Sequence, residues 1–320
     1  MSAETARAEL TLRWSAQRWL PVSVAFAALT VLAQVSYPLL AGPALTVSTV
    51  VTVVAFAAAS LSHAAWAFGP RAAALTGLCV AGLGLLSEAV GVATGLPFGG
   101  YRYAASLGWQ LAGVPLVVPL AWTMMAYPAV LLARLLARRP GEQPGEQAGG
   151  TAPSQRRRLV VALTGGWTLA AWDLFLDPQM VSAGHWTWTS PQLHLPGVPG
   201  IPLSNGAGWL LVGTVIVAAL DRVLPAVPRV PVAALPSPGG AGTPGHEGRS
   251  RGTGRPGRHP GMTWSRPFDA VPAALLAWTW LGSTLANLAF FDRPAVAGYG
   301  VVAMAVTVGP YLLAVRRGTR

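Results

Sequence analysis

The stretch Trp172-Asp173-Leu174-Phe175-Leu176-Asp177-Pro178-Gln179-Met180 closes a long apolar segment with two carboxylates. A spacing of four places Asp173 and Asp177 on one face of a helix, one turn apart. Pro178 has no N–H to continue the ladder and is expected to stop the helix there, leaving the pair at a helix mouth. An ionisable side chain within hydrocarbon costs about 3 kcal/mol or more, so it is normally turned toward a protein interior or a wet cavity and marks a candidate site.

The rest of the chain makes hydrocarbon the relevant solvent. Its 320 residues are 52% hydrophobic and 10% charged, with a mean hydropathy of +0.48, outside the range of soluble domains. A span needs about 20 apolar residues, and eight stretches qualify, near 19–41, 45–68, 72–95, 112–136, 159–177, 203–221, 270–290 and 295–315. The expected fold is all-α: a polytopic membrane helix bundle of about eight transmembrane helices, one integral domain over 1–320, in the cell membrane. The N-terminal apolar run is too long for a signal-peptide core and reads as a retained first helix.

All 22 basic residues are arginine. With a cytoplasmic N-terminus and eight alternating spans, Arg102 and Arg293 fall outside and the remaining twenty inside. This asymmetry predicts cytoplasmic N- and C-termini and explains the net charge of +11 as topology, so a nucleic-acid surface is set aside. The single cysteine, Cys79, can form no internal disulfide and reads as a small core residue. Residues 138–158 and 225–266, rich in Pro, Gly and Arg, are expected to be disordered cytoplasmic linkers without catalytic groups.

Along the third span Gly84, Glu88, Gly91 and Gly95 follow at spacings of four, three and four, a glycine groove with a carboxylate in its middle. Glu88 lies about 10 Å below the helix end at the usual rise per residue. The next loop, Leu96 to Tyr103, combines breakers with Tyr101, Arg102 and Tyr103; the tyrosines suit an interfacial belt, and Arg102 is placed to orient an acid. The fourth span, from Gly113-Val114-Pro115, tolerates its prolines only where neighbours satisfy the freed carbonyls. His63, at the end of the second span, reads as a solvated histidine. An outside loop over 178–202 carries His185, Trp186, Trp188 and His194, the tryptophans being belt candidates, and Ser204 or Asn205 is a reasonable N-cap for the sixth span. In the seventh, Asn287 is the better site candidate, while Asp292 and Arg293 read as a surface pair at the turn.

On this topology Glu88, Asp173, Asp177, Asn205, Asn287 and Arg102 reach one membrane level, which suggests a single pocket open to lipid and to water. No His/Cys cluster has metal spacing, no Gly-rich phosphate loop precedes a helix, and no serine nucleophile elbow is present. Carboxylic acids remain as the available chemistry. A buried acid in its neutral form can serve as a general acid while a neighbouring carboxylate holds water or steadies a cation.

Ser87-Glu88-Ala89-Val90-Gly91-Val92, Gly95-Leu96-Pro97-Phe98-Gly99 with Tyr101 and Tyr103, Gly113-Val114-Pro115, Pro119-Leu120-Ala121-Trp122, Trp172 through Met180 and Gly200-Ile201-Pro202-Leu203-Ser204-Asn205 resemble the integral-membrane carotenoid biosynthesis family, from about the third span to the eighth. The resemblance implies a carotenoid 1,2-hydratase of the γ-carotene or bisanhydrobacterioruberin type. Water would add across the terminal double bond of an acyclic end group by protonation at carbon 2 and capture at carbon 1, with no metal or organic cofactor. It implies a carotenoid arriving from the lipid phase and water as the second reactant. The expected assignment makes Glu88 the proton donor and Asp173 and Asp177 the groups that place water, with exchanged roles close behind. Tyr101, Arg102, Tyr103, Trp122, Trp172, Asn205 and Asn287 are the candidates for lining the substrate site. The rival reading is an intramembrane Mg-dependent prenyltransferase using Asp173-x-x-x-Asp177, which lacks a second Asp-rich motif. A non-enzymatic carrier with a proton relay ranks third, without the internal repeats such proteins show.

Overall fold

The computed structural model describes residues 18–138, 154–189, 193–226, 228 and 266–317. Among these residues are eight long helices: α1 (Trp19–Ser36), α2 (Gly42–Phe68), α3 (Pro70–Thr94), α4 (Val117–Leu136), α5 (Gln155–Ser182), α6 (Leu203–Val223), α7 (Arg266–Ala289) and α8 (Pro294–Arg317). All but α7 are long and apolar enough to cross a membrane. The protein is a multi-pass, all-α membrane bundle. The two expected linkers fall mostly on 139–153 and 229–265, outside the described residues; the end of the first is ordered, since Ser154 caps α5 by accepting from the Arg157 amide at 3.3 Å.

Helix α4 is the central post, packed against α2, α3, α5, α6, α7 and α8, and its most apolar window is 78% buried. Glycines set the closest crossings. A Cβ on Gly166 of α5 would stand 2.7 Å from the Thr214 amide of α6, so the two backbones touch where lipid-dissolved helices gain most from small residues.

Two of the interior prolines, Pro128 and Pro272, are accommodated as helices in lipid require. Pro128 deprives the Met124 carbonyl of its helical donor, and the Ser60 hydroxyl donates to it instead at 2.9 Å. Pro272 does the same to Phe268, whose carbonyl lies 2.9 Å from His63 Nε2. His63 is therefore fully buried, bonded also to the Tyr127 hydroxyl at 2.7 Å, rather than solvated. The fourth span begins later than expected: Gln110–Leu111 (β2) and Val114–Pro115 (β3) form a small ribbon ahead of it.

Pro178 does not end its helix. Helix α5 continues to Ser182 and closes with the Ala183 amide on the Gln179 carbonyl at 3.0 Å. The loss of one helical bond is local, and packing of the neighbouring helices holds the next turn. Asp173 and Asp177 thus project from the body of a helix. Asp292 and Arg293 form no surface pair: Asp292 is exposed with φ +51°, and the Arg293 guanidinium lies 5.2 Å from the centre of the Phe291 ring.

Candidate active site

The site lies where α3 ends, α6 begins and the later part of α5 passes between them. Two short strands close it. Tyr101–Tyr103 (β1) pairs antiparallel with Trp186–Trp188 (β4), in register Tyr101 with Trp188 and Tyr103 with Trp186. Successive side chains on a strand point to opposite faces. Tyr101, Tyr103, Trp186 and Trp188 therefore turn toward the helices, and Arg102 and Thr187 are exposed. Arg102 faces away from the acids it was expected to orient.

Glu88 is buried in α3. The glycine groove around it is filled by aromatic rings: a Cβ at Gly84 would meet Trp122 at 2.9 Å, and one at Gly91 would meet the Tyr101 hydroxyl at 2.7 Å. These close approaches bring three donors onto one carboxyl group. Trp122 Nε1 donates to Oε1 at 3.0 Å, and the hydroxyls of Tyr101 and Tyr103 reach Oε2, Tyr103 at 2.8 Å. Trp122 itself stacks on Trp209 of α6 at 3.9 Å between centroids, and Trp172 meets Trp209 edge-on at 5.7 Å.

The second acidic group is the pair on α5. Asp173 and Asp177 are 2% and 3% exposed. One side-chain amide joins them: Asn205 Nδ2 donates to Asp173 Oδ2 at 2.8 Å and also to Asp177 Oδ2. Asn205 thus bridges carboxylates instead of capping α6, and the residue preceding that helix is Pro202. Trp186 Nε1 completes Asp177 by donating to Oδ1 at 3.1 Å. Asp173 Oδ1 is buried with no hydrogen-bond partner. Among the described residues no cation pairs with either acidic group; an indole or amide N–H, or a phenol, occupies each paired oxygen.

Two cavities flank this network. The first, of about 50 Å³, is apolar and aromatic-walled and is lined by both Glu88 and Asp177, with Tyr101, Tyr103, Trp122, Trp186 and Trp209. The second, also about 50 Å³, lies against Asp173, Asp177 and Asn205 and is otherwise bounded by α5, α6, α8 and the segment before α6. A larger cleft of about 110 Å³ shares Thr49, Val53, Leu176 and Met180 with the first cavity and is lined by Trp172.

The structure therefore brings together Glu88, Asp173, Asp177, Tyr101, Tyr103, Trp122 and Asn205, sets Trp172 beside them, and leaves Arg102 outside. Asn287 is buried in α7, its amide donating to the Ser283 carbonyl at 2.9 Å, and lines none of the three cavities. Trp186 and Trp209 are site residues that sequence reading did not assign. The Trp-x-Trp alternation at 186–188, matching Tyr-x-Tyr at 101–103, is the period of a strand with one buried face and was the available signal. His185, carried on the loop after α5, is buried: its Nδ1 lies 2.9 Å from the Ser106 hydroxyl, and burial lowers its imidazole from the usual histidine value.

Fold and site together define a membrane-embedded protein whose buried acids face an aromatic cavity. Residues 46–236 match the sequence model of the family described as "Carotenoid biosynthesis protein", and the chain belongs to that family. The match begins within α2 and stops before α7, so it covers a different span from the third to the eighth helix expected. The chain is 37% identical over 149 residues to a protein named bisanhydrobacterioruberin hydratase from Haloarcula japonica, a match covering 45% of this chain and 44% of that relative. The aligned part thus spans under half the length of the curated relative. No solved structure matches the chain.

Proposed function

We propose that this protein hydrates the terminal 1,2 double bond of an acyclic carotenoid end group. The observation that carries the reading is that Glu88 and Asp177 face one apolar, aromatic-walled cavity from different helices. Hydrating an unactivated alkene requires a proton for carbon 2, support for a tertiary cation at carbon 1, and water at that carbon. Aromatic faces attract cations, and a fixed anion adds electrostatic stabilisation that needs no reorganisation in a water-poor site. The name of the Haloarcula japonica relative supports the same reaction class.

The hydrogen bonds favour the exchanged assignment of roles. An indole N–H only donates, and three donors converging on Glu88 suit an anion. Asp173 and Asp177 share one amide, and two carboxyl groups so close cannot both ionise cheaply, so the pair is where a proton is kept. In this reading the proton held by the pair is delivered to carbon 2 through Asp177, the member that lines the first cavity, breaking O–H and forming C–H. The cation at carbon 1 lies between the rings and Glu88. The water oxygen then bonds to carbon 1, and the proton it loses returns to the Asp pair. The polyene body occupies the adjoining cleft beside Leu176 and Met180.

The prenyltransferase alternative fits less well, because the amide of Asn205 stands between the two aspartates where a bridging cation would bind. Membranes from a lycopene-producing host expressing the chain test both readings. We expect the pigment to gain one water per end group, equally with and without EDTA. A prenylated product, or activity abolished by EDTA, would reverse the ranking. The arginine distribution supports cytoplasmic termini, so a C-terminal alkaline phosphatase fusion should be inactive.

A further inference from the structure

Asp173 lines the second cavity and not the first, and its Oδ1 is the one carboxylate oxygen of the site left without a partner. A second unpaired acceptor belongs to a residue that lines the same space. Pro178 leaves the Leu174 carbonyl without its helical donor, and Leu174 and Pro178 both line this cavity. The carbonyls freed by Pro128 and Pro272 lie within hydrogen-bond reach of Ser60 and His63. Among the described residues no side chain is seen to do this for Leu174, nor for Val306, which Pro310 frees; of the two, Leu174 lines a cavity of the site and Val306 lines none. A space larger than roughly 15 Å³ holds water where two or more polar partners converge; this one, open at its rim beside the half-exposed Leu203, has about 50 Å³.

From these observations we infer that the second cavity is a water chamber serving Asp173, so that water and polyene approach the acid pair from opposite sides. Water there donates to Asp173 Oδ1 and to the Leu174 carbonyl. Asp177 and Asn205 line both cavities and form the partition across which a water passes to the cation. The inference rests on the hydratase reading and adds to it the source of the second reactant. It also gives a role to Pro178, which breaks a hydrogen bond without ending the helix.

The test combines a structure with kinetics. A structure of the full chain in lipid should show an ordered water within hydrogen-bond distance of Asp173 Oδ1; an empty chamber overturns the proposal whatever the enzyme catalyses. Gly206 lines the chamber, and a Cβ there meets nothing within 4 Å, so Gly206→Leu should fill it. The expected result in hydrating membranes is a kcat lowered tenfold or more with KM for the carotenoid unchanged. An unchanged kcat with the chamber seen to be filled overturns the chamber while leaving the hydratase reading intact. A wild-type chain that hydrates no carotenoid removes the hydratase reading itself and the water supply inferred from it, an outcome distinct from the other two.

Discussion

Two buried polar clusters sit at opposite ends of the same helices, and only one resembles an active site. At the end where α2 and α6 finish, Arg134 pairs with Asp221 at 2.7 Å and also donates to the Asp221, Leu224 and Pro225 carbonyls, capping α6. Nearby His63 bonds Tyr127 and Phe268, and Tyr311 donates to Asp269 at 3.3 Å. The cavity beside this cluster is about 20 Å³. At the other end three carboxyl groups receive N–H and O–H donors, one oxygen is left over, and two cavities of about 50 Å³ adjoin them. Depth and ionisable character are common to both ends. What separates them is the company of cations and space: at the first end Arg134 pairs with Asp221, and Arg138 and Arg157 line the same small cavity as Asp269, whereas the second keeps acids without a paired cation beside room for a reactant.

This contrast can be broken by substitution. The largest effect is expected from Asp177→Asn, which removes the proposed proton donor and should lower turnover per folded molecule about 10²- to 10⁴-fold; its amide also faces the Trp186 or Asn205 N–H, at about 1–3 kcal/mol of stability. Arg134→Met should do the reverse. It leaves Asp221 and the α6 carbonyls unpaired, costing about 3–5 kcal/mol of stability, read as a lowered unfolding midpoint, with turnover per folded molecule unchanged. Glu88→Gln keeps the shape but removes the anion; we expect about a 10²- to 10³-fold loss in kcat and little change in substrate binding. Trp186→Phe takes the donor from Asp177 Oδ1, worth about 1–3 kcal/mol, and should lower kcat about tenfold. Tyr311→Phe, at the packed end, is expected to cost about 1 kcal/mol of stability and nothing in activity. Large activity losses from changes at both ends would erase the distinction.

The helices were legible because continuous apolar runs of span length leave few alternatives in hydrocarbon. Glu88 and the Asp173/Asp177 pair were equally legible, since isolated acids in such runs stand out. The partners were harder to read. Asn205 looked like a cap because Asn before an apolar run usually is one, and only the α5–α6 crossing at Gly166 shows that its amide reaches both aspartates. Trp186 looked like a belt residue because the strand pairing that turns it inward joins segments far apart in sequence. Pro178 was read as a stop from local chemistry, which tertiary packing overrode. Arg102 and Asn287 entered by membrane depth alone, and depth does not specify which way a side chain points.

If the Asp177-bearing end adds water to a carotenoid end group, as proposed, the pigment itself must gain that water. Pigment extraction and mass spectrometry from a lycopene-producing host test it directly, comparing the wild-type chain with Asp177→Asn expressed to the same level. A gain of one or two waters with the wild type, absent with the variant, is the predicted result. Hydration that survives in Asp177→Asn at the wild-type rate, or a wild-type pigment that gains a prenyl unit instead of water, would contradict it.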